Sequence, residues 1–327
     1  MKKSILTKQF AVLFLSVSSL FTFTSCNSDD ETSPNALSSI AVIAQSNPNL
    51  SSLSAALNRA GLTTTLNTAG TYTVFAPTNL AFSNFLAANG FNDLNEVPVA
   101  LLKEVLLNHV IAEVKTASSL PASGYLKTLA KGSASSTNTL SMYVNKSDGV
   151  LLNGISTVTT ANIAANNGVI HIVDTVIGLP TIVDHAIANP NFSRLVGALT
   201  SDGQPDFVSI LSGTGPFTVF APSNSAFTDL DAELAAIPLT PTAAQLTSVL
   251  QYHVLNGNVL SSDLSGVISG PSAGVVTALN GQDFTISLTG GAKITDANSR
   301  NCNIVATDVQ CTNGVVHVLS KVLLPAL

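Results

Sequence analysis

"YTVFAPTNLAF", residues 72–82, returns at 217–227 as "FTVFAPSNSAF", identical at 8 of 11 positions. A dense apolar run with aromatic and β-branched residues reads as a buried strand. The proline that follows limits its pairing, and Thr78 or Ser223 stands where a helix N-cap belongs. Each copy therefore reads as a core strand followed by a capped helix. Three further landmarks recur in the same order. "SNPNLSSLSAAL" (46–57) matches "ANPNFSRLVGAL" (188–199), "LLNHVI" (106–111) matches "LQYHVL" (250–255), and "NGVIHIVDTVIGLP" (167–180) matches "NGVVHVLSKVLLP" (313–325). A nearly constant offset across four landmarks describes two complete domains rather than a short-period solenoid. The boundary falls at Leu179-Pro180-Thr181, with almost no linker, which predicts neighbouring domains.

Within each copy, helical segments at 38–60 and 182–200 precede the strand, and helices ending at His109 and His253 follow it. The rest of each copy is rich in Val, Ile, Thr, Ser and Gly with turn signals. "GYLKTLAKGSAS" and "GVVTALNGQDFTISLTGGAKITD" read as antiparallel strands and hairpins. Asn167-Gly168 and Asn313-Gly314 suit tight turns. The expected class is α+β, helices first and a β-rich half after.

These residues resemble the two motifs of fasciclin domains: a "TVFAPTNxAF"-type strand and an "NGVIHxVD"-type strand, with a histidine-ended helix between them. The resemblance covers 36–180 and 181–327. It implies two tandem domains, each a β-wedge or sandwich with helices packed around it. It also implies a surface or secreted role in adhesion. Asn79 and Asn224 lie within the first motif with Thr78 and Ser223; His171, Asp174 and His317 lie within the second, where Ser320 replaces the aspartate. Any acid-to-histidine contact is therefore expected in the first copy alone. Tyr252-His253 resembles a tyrosine–histidine motif through which some fasciclin domains bind receptors. Asn108-His109 takes its place in the first copy, so at most one domain keeps that motif; Tyr252, His253, Asn108 and His109 are the candidate ligand contacts, with packing the favoured role for Tyr252.

Ahead of both copies, Lys2, Lys3 and Lys8 precede an apolar stretch over 10–23 and then "FTSC". That pattern is an export signal, too short for a membrane-spanning helix. Cys26 resembles the lipidated cysteine of a relaxed lipobox, as in lipoproteins of Bacteroidetes, with residues 1–25 as signal and 26–35 as an acidic tether. Asp29-Asp30-Glu31 is similar to that phylum's surface-export signal. The expectation is a lipid-anchored outer-membrane protein facing the exterior, with the periplasmic face or secretion as alternatives.

Hydrophobic residues make up 46% of the 327, and charged residues only 10%. Removing the signal takes three of 13 basic residues and none of 19 acidic ones, leaving a net charge of −9. Such a surface repels nucleic acid.

Four of five histidines form matched pairs, His109 with His171 and His253 with His317. The first of each pair lies on an apolar helical stripe and the second in an apolar strand. Metal ligation would need companions that the spacing does not supply. Buried imidazoles bonded to backbone or to a neighbouring acid are the expected state, and no metal or cofactor is expected. His185 reads as an exposed helical residue. The chain carries no G-x-S-x-G, H-E-x-x-H or phosphate-loop pattern. Cys302 and Cys311 either form a disulfide, which requires a turn inside "NIVATDVQ", or remain as two free thiols; a straight strand would separate them by ~30 Å.

The leading expectation is a non-enzymatic surface adhesion or ligand-binding protein. Its partner would be an extracellular polysaccharide or a matrix or surface protein, met by exposed loops and by the groove between domains. Alternatives are an envelope structural protein acting by self-association and a hydrolase with an unrecognised site.

Overall fold

A computed structural model describes residues 37–235, 241–267, 274–288 and 291–326. The signal, tether and Cys26 lie outside the described residues.

In the first domain, α1 (Ile40–Ser46) and α2 (Ser51–Arg59) flank a 3₁₀ turn at Pro48–Leu50. The helix expected over 38–60 is thus broken in two. Pro48 cannot continue an α-helix, and Asn47 caps the turn through its side chain, which accepts from Asn49 N at 3.0 Å. α3 (Thr63–Asn67) leads into β1 (Tyr72–Pro77), α4 (Asn79–Ala88), α5 (Val99–Leu107) and β2 (Val110–Ile111). Then come β3 (Ser123–Lys131), β4 (Thr139–Asn145), β5 (Leu151–Leu152), β6 (Ser156–Ala165) and β7 (Gly168–Val173). The second domain repeats the order. α6 (Ile182–Ala188), α7 (Ser193–Leu199) and α8 (Phe207–Ser212) precede β8 (Phe217–Pro222), α9 (Asn224–Ala235), α10 (Ala243–Tyr252), β9 (Val254–Asn256) and α11 (Ser261–Val267). β10 (Gly274–Thr277), β11 (Asp283–Ser287), β12 (Lys293–Thr295), β13 (Asn301–Cys311) and β14 (Gly314–Leu319) complete it.

The seven-stranded sheets run β2-β1-β7-β6-β5-β4-β3 and β10-β11-β12-β13-β14-β8-β9. β6 pairs with β5 through Ser156 and Thr157, and with β7 through Val158 to Ala165, so the sheet divides along one strand. β13 divides the second sheet in the same way. This is the wedge expected for each half. The two recurring motifs turn out to be partners: β1 runs parallel to β7 from Tyr72 opposite Gly168 to Pro77 opposite Val173, and β8 runs parallel to β14. A parallel pair between segments about 96 residues apart gives no hairpin signal, and the sequence reading had only antiparallel ladders. Pro77 is the last paired residue, and Thr78 N still donates to Val173 O at 3.1 Å.

Thr78 Oγ1 then accepts from Ala81 N at 3.2 Å, and Ser223 Oγ from Ala226 N at 3.4 Å, so both motifs start their helix as expected. Asn79 accepts from Ser52 N at 2.9 Å and donates to Pro48 O at 2.8 Å; Asn224 does the same with Arg194 N and Pro190 O. The repeated Asn thus ties the strand–helix corner to the repeated N-P-N turn. Asn167 and Asn313 are buried clamps. Each accepts from the first helix of its domain (Ile40 N, Ile182 N) and donates to two carbonyls around the third (Leu66 and Thr68; Leu211 and Gly213), all at 2.8–3.0 Å. The glycine after each is required by close approach: a Cβ on Gly168 would lie 2.0 Å from Tyr72 O, and one on Gly314 2.1 Å from Phe217 O.

Candidate functional site

The paired histidines are pinned by backbone on both ring nitrogens. His109 Nδ1–H donates to Val105 O at 2.7 Å, one helical turn back, and Nε2 accepts from Ile177 N at 2.9 Å. His253 repeats this with Val249 O at 2.7 Å and Leu323 N at 2.9 Å. Burial pushes both imidazoles down to about 4, only partly offset by the carbonyl each bonds. His171 Nε2–H donates to Lys115 O at 2.8 Å while Nδ1 accepts from Asn162 N at 3.3 Å; His317 bonds Val259 O and Asp308 N likewise. Asn162 and Asp308 sit at β-bulges with φ near +60°, which aims each N–H at the ring. Phe75 and Phe220 stack on the strand histidines with centroids 5.4 Å apart. With both nitrogens of these four rings committed to backbone, none of the four is placed to ligate a metal or move a proton.

Tyr252 is fully buried; its hydroxyl donates to Asp283 O at 2.7 Å and accepts from Ala297 N at 3.1 Å, and its ring meets Phe284 edge-on. Asn108, also fully buried, donates to Gly178 O at 2.7 Å and accepts from Thr128 Oγ1 at 3.0 Å. His109 and His253 are buried as well, so the geometry gives all four the packing role: each pair knots a helix end to the β-rich half. Asp174 is exposed and accepts from Thr157 N at 2.8 Å, so the acid-to-histidine contact expected in the first domain is replaced by a backbone one. Ser320 Oγ takes the equivalent bond from Asn303 N.

His185 is a correction. It is 1% exposed, not solvated, and meets Tyr125 of the first domain edge-on at 5.5 Å. Neither ring nitrogen has a partner at hydrogen-bond geometry, although the Ser141 backbone lies near it; burial pushes the ring down to about 4, only partly offset by the Asp184 carboxylate and that backbone. The helical pattern could not reveal this, because the face of α6 carrying His185 is covered by the other domain. Cys302 and Cys311 are free, buried thiols at opposite ends of β13. "NIVATDVQ" bulges but does not reverse, so of the two alternatives the free thiols are what the structure holds.

The domain junction also carries an open polar surface. Lys127 Nζ donates to Asp308 O at 2.7 Å, Gln310 N to Ser141 Oγ at 3.0 Å, Ala134 N to Thr312 O at 2.8 Å, and Thr312 N to Pro180 O at 2.8 Å. Asn189 Nδ2 donates to Tyr125 OH at 3.1 Å. Backbone-directed bonds of this kind hold the domains in a defined pose. Beside them opens a cleft of roughly 500 Å³. Ser123, Tyr143 and Asn145 form the wall from the first domain; Asn189, Asn191 and Asn224 form the wall from the second. Ser123 Oγ and Tyr143 OH lie 2.8 Å apart, and Asn189 Oδ1 accepts from Asn191 N at 3.0 Å. Among the described residues, no charged side chain lines the cleft. The sequence points to a groove between domains as a contact surface but not to these residues, because they come from separate strands and turns that only the domain pose unites. The repeated N-P-N at 189–191 was the available signal.

Among the described residues no helix is long and apolar enough to cross a membrane, and no group of three or more His, Cys, Asp or Glu could hold a metal ion. The chain is similar in sequence to several known proteins. The chain is 36% identical over 149 residues to Protein sll1483 of Synechocystis, covering 45% of this chain and 74% of that one. It is 36% identical over 140 residues to the cell surface glycolipoprotein MPB83 of Mycobacterium bovis (42% and 57%), and 27% identical over 260 residues to human periostin (78% and 28%). A solved FAS1 domain pair from the insect cell adhesion molecule fasciclin I aligns over 83% of this chain and 92% of its own, with 20% identity and a TM-score of 0.48. The fasciclin-domain family model matches residues 48–180 and again 190–325. The chain belongs to the fasciclin-domain family.

Proposed function

We propose that this is a non-enzymatic, surface-anchored adhesion or ligand-binding protein that engages a neutral, hydroxyl-rich polymer, an extracellular polysaccharide, in the interdomain cleft. The observation that carries the reading is the lining: amides and hydroxyls from both domains, without a charge among the lining residues. Such groups recognise polyols by hydrogen bonds, while a charged polymer finds no counter-charge there. The committed histidines and the satisfied backbone around them support a scaffold role for the rest of each domain. MPB83 is a cell surface glycolipoprotein by name; anchorage of this chain through a lipid on Cys26, at the outer membrane and facing outward, is proposed on that similarity and on the N-terminal pattern.

Solid-phase binding of the purified chain to neutral and to acidic polysaccharides tests the first claim. Asn191→Ala and Asn145→Ala should each weaken retention on the neutral polymer at least threefold while leaving thermal stability within about 0.5 kcal/mol, the range of ordinary surface changes. Equal retention by all three proteins rejects the cleft; preference for a protein matrix over every glycan favours a surface protein as partner. Cys26→Ala should move the protein from membrane to soluble fractions.

A further inference from the structure

The helical half of the second domain contains a second, chemically opposite space. α6, α7 and α8 do not close over β8 and β14. Between them lies an apolar hollow of about 90 Å³, partly open to solvent. Ala186, Leu195, Leu199 and Phe207 form its sides, and Val219 and Val316 its floor. Only two lining residues carry polar side chains. Thr200 turns its hydroxyl back to Val196 O at 2.9 Å, and His185 contributes a buried ring. The mouth is apolar too: Ile187 is 64% exposed and Val208 39% exposed, and both belong to the lining. The hollow shares no residue with the interdomain cleft.

We propose that this cavity binds one linear hydrocarbon chain, the acyl or alkyl tail of a single-chain lipid. The walls select the occupant. An apolar void of this kind stays dry and takes apolar guests. An extended peptide would bring N–H and C=O groups for which the walls hold no partner, each costly to bury. A helix, about 10 Å across, is too wide for the enclosed part. A hydrocarbon tail asks for no hydrogen bond, fits a narrow hollow end-on, and leaves its head at the mouth between Ile187 and Val208. An apolar rim and an apolar floor in series suit a tail that enters lengthwise.

The test uses the full chain and a series of linear alcohols from hexanol to dodecanol, followed by calorimetry and displacement of a fluorescent alkyl probe. Saturable one-to-one binding is expected, tightening about fourfold per methylene until the hollow is full and then levelling off. Lauric acid and a lysophospholipid of the same chain length then show which head the mouth accepts. Val196→Phe, which fills the hollow, should cut dodecanol affinity at least tenfold with an unchanged or raised Tm. Should that variant misfold, Val208→Asp at the exposed rim gives the same reading without touching the core, again a loss of at least tenfold. Absence of saturation with every chain overturns the proposal, and so does binding that Val208→Asp leaves intact.

Discussion

The Nε2 atom of His109 accepts the backbone N–H of Ile177 at 2.9 Å, joining the end of α5 to a segment 68 residues away. The same bond joins His253 to Leu323. Only neutral imidazole can accept it, so protonation must break the knot. His109, His253 and His185 are each held at about 4 against an ordinary 6.5. Between those values the unfolded chain takes up protons that the folded one refuses. Stability is therefore complete above about pH 6.5 and falls as pH drops toward 4, each group withdrawing up to about 3 kcal/mol. Urea unfolding at pH 7.5, 5.5 and 4.5 should show this slope; a flat profile contradicts the neutral, buried assignment.

His185 allows the burial argument to be checked in the opposite direction. Its buried nitrogens lack partners, whereas Ile43 occupies the equivalent place in the first domain. His185→Ile removes an unsatisfied polar group and one source of acid sensitivity. The expected outcome at pH 7.5 is a gain of about 1–3 kcal/mol, with a shallower loss on acidification. A variant less stable at pH 7.5 would mean that the ring has a partner in solution.

Tyr252 separates packing from recognition. Tyr252→Phe keeps the ring against Phe284 but removes the bonds to Asp283 O and from Ala297 N. A loss of about 1–2 kcal/mol in chemical denaturation is expected, with ligand retention by the native protein unchanged. Loss of retention without loss of stability would restore the tyrosine–histidine pair as a contact.

Asn167→Ala should be among the most damaging single changes in the first domain. Three backbone groups, Ile40 N, Leu66 O and Thr68 O, lose their partner in a buried site. At about 1 kcal/mol or more for each, the expected cost is about 3 kcal/mol or above. Asn166→Ala next to it, with an exposed side chain, serves as the control and should stay within about 0.5 kcal/mol.

How much of this was legible follows from how local each signal is. The strand, the proline and the capping Thr78 or Ser223 act within a few residues, so a short string displays them. The duplication made the domain count plain, and apolar surroundings marked His109, His171, His253 and His317 as core residues. The parallel pairing of β1 with β7 joins segments about 96 residues apart and leaves no local spacing to read. Asn167 read as a turn former because its clamp partners, Ile40 and Leu66, lie about a hundred residues or more away. His185 was opaque for a related reason, since its face of α6 is covered by the other domain, where Tyr125 meets it edge-on.

The domain pose itself is testable at Gly132. A Cβ at this position would lie 2.5 Å from Thr312 Cα and 2.8 Å from Thr312 O, backbone atoms that cannot swing aside. Ser133 Oγ and Ala134 N both bond that same carbonyl, at 2.9 and 2.8 Å. Gly132→Val should therefore part the domains at this edge while leaving each core intact, since the two sheets do not depend on the contact. Small-angle scattering should report a larger radius of gyration, and the Ala134 amide should lose its protection from hydrogen exchange. Because the polar cleft draws one wall from each domain, retention on neutral polysaccharide should fall with it, whereas dodecanol, held wholly within the second domain, should bind as before. Unchanged scattering and exchange would show that the interface tolerates the clash and that the pose is not set there.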